Sequence, residues 1–249
     1  LDEHGITRDM IDREALKVAD RLAHYGYEAY VVGGAVRDLL IGKPPKDFDI
    51  ATNALPRQVK KLFSNSRIIG KRFRLVHVHF RDKIIEVSTF RSDTPGSSNN
   101  IYGVLEEDVR RRDFSLNALY YSPKNQYLLD FVGGYEDIRS GRMKSLLPLD
   151  STFVEDPVRI IRAVKYSQMT GFSIPRKLKG ALRKYGPNLE GCSVSRLTEE
   201  LFKILQSGYT APIIREFHDL GILKSILPEL ASRLSGKNIQ IRPKDYFRS

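Results

Sequence analysis

A single cysteine, Cys192, stands in 249 residues. It cannot form an internal disulfide, and a thiolate-ligated zinc site is excluded. A reducing compartment fits. No apolar run approaches the roughly 18–20 residues that a membrane-spanning helix needs. The first residues, Leu1-Asp2-Glu3-His4, lack the basic-then-apolar pattern of a secretory leader. A cytoplasmic setting without membrane contact is expected. Repeats and low-complexity tracts are absent. Acid is in short supply, with 30 Asp plus Glu against 41 Lys plus Arg and a net charge of +11. The shortage is uneven. Residues 151–249 hold 17 basic and 9 acidic side chains, leaving 24 and 21 for residues 1–150. Such a surplus suits a polyanionic partner, nucleic acid being the commonest, although solubility alone makes many chains basic. A hydrophobic share of 41% with 29% charged residues is that of a folded chain.

Two kinds of pattern follow one another. Up to about residue 140, short apolar strands mix with helices. The spacing predicts helices over 11–25, 35–41 and 56–63, and strands over 28–32, 47–51, 74–80 and 83–90. Residues 92–103 are rich in Ser, Asn, Gly and Pro and read as a mobile loop. Beyond residue 150, helices are expected over 154–170, 177–185, 195–206 and 211–220, with glycines as stops. The pattern reads as an α/β domain followed by an all-helical one, with a polar, basic and frayed end over 235–249.

Chemistry concentrates first in Lys46-Asp47-Phe48-Asp49-Ile50. Residues two apart on a strand share a face, so Asp47 and Asp49 are expected to project together while Phe48 and Ile50 enter a core. Two carboxylates on one face repel unless a cation lies between them, and Mg²⁺ suits such a site. Glu86, an acid inside the apolar run Ile84-Ile85-Glu86-Val87, is the candidate third ligand for a two-metal centre. A solvated edge strand is the plain alternative. Val31-Val32-Gly33-Gly34-Ala35-Val36-Arg37 reads as strand, glycine turn and helix, a place where backbone N–H groups can approach a phosphate and Arg37 can add charge. It matches neither the dinucleotide-binding glycine pattern nor the Walker lysine pattern. Arg112, Asp113 and Asn117 offer a guanidinium, a carboxylate and an amide, with the last two expected on one helix face. That trio suits a triphosphate and a ribose, or a basic helix start with a capping acid. Asp156, Arg159, Arg162 and Lys165 form a three-residue stripe that ordinarily signals a salt-bridged, solvated face.

Seven segments in this order, GGAVRD (33–38), DFD (47–49), EVSTFR (86–91), RRDFSLNAL (111–119), LLDFVGG (128–134), EDPVRIIRAVKY (155–166) and SRLTEELFKIL (195–205), resemble the class II nucleotidyltransferases of the polymerase β superfamily. These are the bacterial poly(A) polymerases and the tRNA CCA-adding enzymes. The resemblance implies an α+β chain. A nucleotidyltransferase head with a mixed or antiparallel sheet would occupy residues 1–149, and an all-helical neck residues 150–249. It implies two Mg²⁺ ions held by Asp47, Asp49 and Glu86, and a triphosphate held at Gly33, Gly34 and Arg37. Arg112, Asp113 and Asn117 would engage triphosphate and ribose. Asp156 and Arg159 would read the base, with Arg162 and Lys165 helping to place nucleotide or primer. Lys165 departs from the arginine often found there. Asp130 is a further recurring acid of the family, catalytic or structural. Lys71, Arg72, Arg74 and Arg196 would support RNA.

Finer features lean toward the poly(A) polymerases. Arg67-Ile68-Ile69-Gly70-Lys71-Arg72-Phe73-Arg74-Leu75-Val76-His77-Val78 resembles their version of this strand and loop, whereas CCA-adding enzymes more often carry Gly-Thr where Arg74-Leu75 stand. Ser195 occupies a place where many CCA-adding enzymes have Glu. The implied activity is addition of AMP from ATP to RNA 3′ ends by a monomer. CCA addition, an inactive RNA-binding relative and a small-molecule nucleotidyltransferase are the alternatives. Family members usually continue into further basic helices, so the chain is expected to lack part of the RNA-binding surface.

Overall fold

Asp12 starts the first helix. Its side chain accepts hydrogen bonds from the backbone N–H groups of Glu14 and Ala15, and α1 (Arg13–His24) follows. Ala15, Val18, Ala19 and Leu22 recur at helical spacing and are buried. In this computed structural model, residues 3–70, 74–92 and 102–235 are described. The chain divides between Leu147 and Pro148 into two compact units.

The first unit is built on one sheet of seven strands, β1 (Ala29–Val32), β2 (Asp49–Thr52), β3 (Ser66–Ile69), β4 (Leu75–His79), β5 (Ile84–Thr89), β6 (Leu119–Ser122) and β7 (Tyr127–Asp130). Their spatial order is β3-β4-β5-β2-β1-β6-β7. Among the described residues only β2 and β5 run parallel, so the sheet is mixed. β1 is buried along its whole length, as an unbroken apolar run predicts for a central strand. The helices of this unit are α1, α2 (Gly34–Leu40), α3 (Pro56–Leu62), α4 (Leu105–Arg110) and α5 (Gly134–Arg139). One sheet face packs Tyr30, Val32, Ala51, Ala118 and Tyr120 against Leu105 and Val109 of α4. The other buries Val76, Val78, Ile85 and Val87 on the side where α1 and α3 lie. The register aligns one row across the first face: Arg67, His77, Glu86, Asp49, Val32, Tyr120 and Leu129.

The second unit contains α6 (Leu149–Glu155), α7 (Val158–Thr170), α8 (Arg176–Tyr185), α9 (Val194–Leu205), α10 (Thr210–Asp219), α11 (Leu223–Ile226) and α12 (Pro228–Ser235). Among its described residues there is no strand. α7 buries Val158, Ile160, Ile161, Ala163 and Val164, each of the larger side chains contributing about 1.5–3 kcal/mol. It ends at Gly171, whose φ of 81° suits a residue without a Cβ.

Three expectations are corrected. β2 begins at Asp49, not at Asp47, because its neighbour β1 ends opposite it at Val32 and the chain turns away at Gly33. Residues 154–170 are two helices, not one. Pro157 lacks an N–H and forces Asp156 into an extended conformation (φ −140°, ψ 80°), so α6 stops and α7 starts afresh. Asp113 and Asn117 do not share an α-helix: α4 ends at Arg110, and Ser115–Asn117 is a single 3₁₀ turn. Most of the loop expected over 92–103, and all but the first residue of the basic end over 235–249, lie outside the described residues.

Candidate active site

The parallel pairing of β2 with β5 sets Asp49 directly beside Glu86, with the strands about 4.8 Å apart. Ile50, Val87 and Ile85 point the other way and are buried, which holds the two acids on the opposite face. Asp47 is exposed, two residues ahead of the strand. On the far side of Glu86, His77 brings Nε2 to 3.4 Å from Glu86 Oε2. Among the described residues, no group of three or more His, Cys, Asp or Glu side chains is gathered as a metal site. The fit to Mg²⁺ is therefore one of donor chemistry: hard carboxylate oxygens on adjacent strands, of the kind this ion takes.

Beside Asp49, β1 runs into the glycine turn. Gly33 has φ 68° and ψ −129°, a conformation L side chains rarely adopt. A Cβ on Gly33 would stand 3.4 Å from Arg112 Nη1, and one on Gly34 would stand 3.5 Å from Arg37 Nη2. Two guanidinium groups thus border the turn, and this is the local basis for a phosphate site. Arg37 is 4% exposed; its Nη1 donates to Asn117 Oδ1 at 2.9 Å, and its Nε donates to Asp38 Oδ1 at 2.8 Å. Asn117 Nδ2 donates onward to Asp113 Oδ1 at 3.2 Å. The residues that the sequence nominates in two separate motifs, Arg37, Asn117 and Asp113, are one hydrogen-bonded chain.

Arg112 is held by groups the sequence reading missed. Its Nη2 donates to Asp108 Oδ2 at 3.2 Å, its Nε to the Tyr120 hydroxyl at 2.7 Å and its Nη1 to the Asn117 carbonyl at 3.3 Å. Tyr120 in turn donates to Asp108 Oδ2 at 2.6 Å, and Arg91 Nε donates to Asp108 Oδ1 at 3.1 Å. Burial opposes the charge on Asp108, but Arg112, Arg91 and the Tyr120 hydroxyl outweigh it and hold the carboxyl down to about 2. Asp108 precedes Arg112 by four residues, a spacing that could have flagged the pair. Nothing local could have flagged Tyr120, which arrives from β6.

In the helical unit, Asp156 accepts from Arg196 Nη2 at 2.8 Å and lies 3.6 Å from Arg159 Nε. Arg196 of α9 is therefore tied to the acid that the family resemblance nominates for base reading. Arg162 and Lys165 do not continue a solvated stripe. Arg162 Nε donates to Glu200 Oε1 at 2.7 Å, and Lys165 Nζ to Glu200 Oε2 at 2.5 Å. Lys165 is 6% exposed and Glu200 2%. Burial works against the charge on Glu200, yet the two cations hold its carboxyl below the usual range. The stripe looked solvated because α9, which covers it, is distant in sequence.

Asp130 does not join the acids. It stands three strands from Asp49 in the sheet order, about 14 Å at the usual strand spacing. Its oxygens accept hydrogen bonds from the backbone N–H groups of Val132, Gly134 and Tyr135, which turns the chain from β7 into α5. These bonds make Asp130 the cap of the turn into α5, the structural one of the two roles the resemblance leaves to it. Arg74 is exposed just ahead of β4, while Lys71 and Arg72 lie outside the described residues.

Residues 29–144 match the family model described as the poly A polymerase head domain, and residues 171–234 the one described as a probable RNA and SrmB binding site of polymerase A. Poly(A) polymerase I of Escherichia coli is 42% identical over 87% of this chain and 51% of its own length. The CCA-adding enzyme of Geobacillus kaustophilus is 36% identical over 89% of this chain and 56% of its own. The crystal structure of the Bacillus stearothermophilus CCA-adding enzyme in complex with CTP superposes with a TM-score of 0.79 at 35% identity, covering 90% of this chain and 56% of that one. The chain thus spans about half the length of these relatives. With both family models matched in order and the mixed sheet and helical unit in place, the chain belongs to the nucleotidyltransferase family of the bacterial poly(A) polymerases and CCA-adding enzymes.

Proposed function

We propose that this chain carries the catalytic half of a template-independent RNA nucleotidyltransferase that adds AMP from ATP to RNA 3′ ends, working as a monomer in the cytoplasm. The observation that carries this reading is the placement of Asp49 beside Glu86, next to a glycine turn bordered by Arg37 and Arg112. Asp47, Asp49 and Glu86 would hold Mg²⁺, which when bound lowers the pKa of the attacking hydroxyl and neutralises the leaving oxygens. In the reaction a primer 3′ oxygen bonds to the α-phosphorus, the bond from that phosphorus to the β-phosphate oxygen breaks, and pyrophosphate leaves. The chain's own residues position the reactants. Arg112 and Arg37 receive the triphosphate at Gly33 and Gly34. Asn117 and Asp113 meet the ribose. Asp156 and Arg159, steadied by Arg196, read the adenine. Arg162 and Lys165 act through Glu200 by setting α7 against α9.

Identities of 36–43% to poly(A) polymerases, against 36–37% to CCA-adding enzymes, support A-tailing over CCA addition. The CCA reading stays in play because solved structures that match this chain include CCA-adding enzymes. Incubation with Mg²⁺, an RNA primer and each nucleotide in turn separates the two. Long tails from ATP alone on a generic primer are expected. Two C and one A on a tRNA lacking its end would replace that reading with CCA addition. No incorporation from any nucleotide would overturn both and favour a binding role.

A further inference from the structure

The row that carries Asp49 and Glu86 does not stop there. In register, Glu86 is followed outward by His77 on β4 and Arg67 on the edge strand β3. His79 shares the face of His77, with ring centroids 6.2 Å apart. The other side of these strands is closed, because Val76, Val78, Ile85 and Val87 are buried there. Toward β6 the same face is covered by Leu105 and Val109. Toward β3 its described residues are accessible: Arg67 and His79 are exposed, and His77 is partly so. The acids therefore have cationic groups on both sides. Arg37 and Arg112 lie inward at the glycine turn; Arg67 lies outward, with the two imidazoles of β4 beside it.

We propose that the open face of β3, β4 and β5, from Glu86 out to Arg67, is the track on which the last nucleotides of the RNA primer lie, so that primer and triphosphate reach the acids from opposite sides. This rests on the reading of the chain as an RNA nucleotidyltransferase. Three strand spacings separate Arg67 from Asp49, about 14 Å, which at the 3.4 Å rise of a stacked strand is about four nucleotides. On β3 and β4 the polar residues in this face are Arg67, His77 and His79, all bases, which complements a phosphodiester chain. Ile69 and Leu75, the half-buried pair next along the strands from Arg67 and His77, offer apolar surface to ribose and base.

The test is Arg67→Glu with Arg67→Lys as its conservative partner, in the same chain and with an RNA oligonucleotide as both primer and binding probe. Arg67 is exposed on an edge strand, so folding should survive, and a melting curve checks it. For Arg67→Glu the primer KM should rise about tenfold, and the salt slope of RNA binding should shrink by about one. The nucleotide KM should stay within twofold, and Arg67→Lys should restore the primer KM. An unchanged primer KM, or a shift in nucleotide KM instead, would overturn the track. If the unaltered chain incorporates no nucleotide, the functional reading fails by itself. RNA binding measured by fluorescence anisotropy still decides the track, because equal affinity of Arg67→Glu and the unaltered chain would refute it.

Discussion

Each unit holds a buried carboxylate between two cations, and the two arrangements do different things. Asp108 in the head is 3% exposed and holds Arg91 and Arg112; Glu200 in the helical unit is 2% exposed and holds Arg162 and Lys165. Both acids are pulled below their ordinary range by those cations against the opposing pull of burial. Around Glu200 the charges join α7 to α9, and the cations Lys165 and Arg162 are committed inside the unit. Around Asp108 the acid and Tyr120 grip one edge of the Arg112 guanidinium, and Nη1, which donates to the Asn117 carbonyl, is set beside Gly33. A buried ion pair is weak evidence for stability alone, since desolvation offsets much of its attraction. Its worth here lies in where it leaves the cation.

Four variants would break or sharpen this contrast. Asp49→Ala sets one extreme, with loss of nucleotide addition by at least about a thousandfold while the melting temperature is kept, since the residue is half-buried at a strand end. Activity retained in a metal-dependent incorporation assay would remove Asp49 from the site. Glu200→Ala sets the other extreme. Lys165 is left buried without its acid, so stability should fall by about 3–5 kcal/mol in urea unfolding, with only a small rise in nucleotide KM in the protein that remains folded, as α7 and α9 lose their tie. A large rise in nucleotide KM would mean Glu200 also serves the nucleotide.

Asp108→Asn should do both things. Stability falls by on the order of 2–3 kcal/mol, and nucleotide KM rises about tenfold as Arg112 loses its anchor. The pH dependence follows from the sign. The folded carboxyl titrates near 2, below its unfolded value, so its contribution is complete above the ordinary Asp range and fades as pH drops from about 4 toward 2. The stability gap between the two proteins should therefore close over that window; a gap that is constant from pH 6 to 2.5 would contradict an ionised Asp108. Tyr120→Phe is the mildest change. It removes one hydroxyl shared by Arg112 and Asp108, costing about 1 kcal/mol with a few-fold rise in nucleotide KM. No change in KM would leave Asp108 alone as the anchor.

Much of the site was legible because its parts are short and local. Gly33-Gly34-Arg37, Asp47-x-Asp49 and Glu86 each signal within a few residues. Asp130 was not legible in this way, because an acid at a strand end looks the same whether it binds a metal or caps the following turn. The stripe at 156–165 misled because a helix shows its charged face in sequence but not what covers it.

The sequence by itself determined the chemistry on offer: the acids, the glycine turn, the order of the segments and the basic second half. All of these depend on residue type and near-neighbour spacing. Tertiary structure decided which acids meet and which cations remain outward. Asp49 and Glu86 are 37 positions apart and become neighbours only through the parallel pairing of β2 with β5. Tyr120 reaches Arg112 only because β6 lies beside β1. Strand order and register are settled by burial over the whole sheet, which no local pattern encodes.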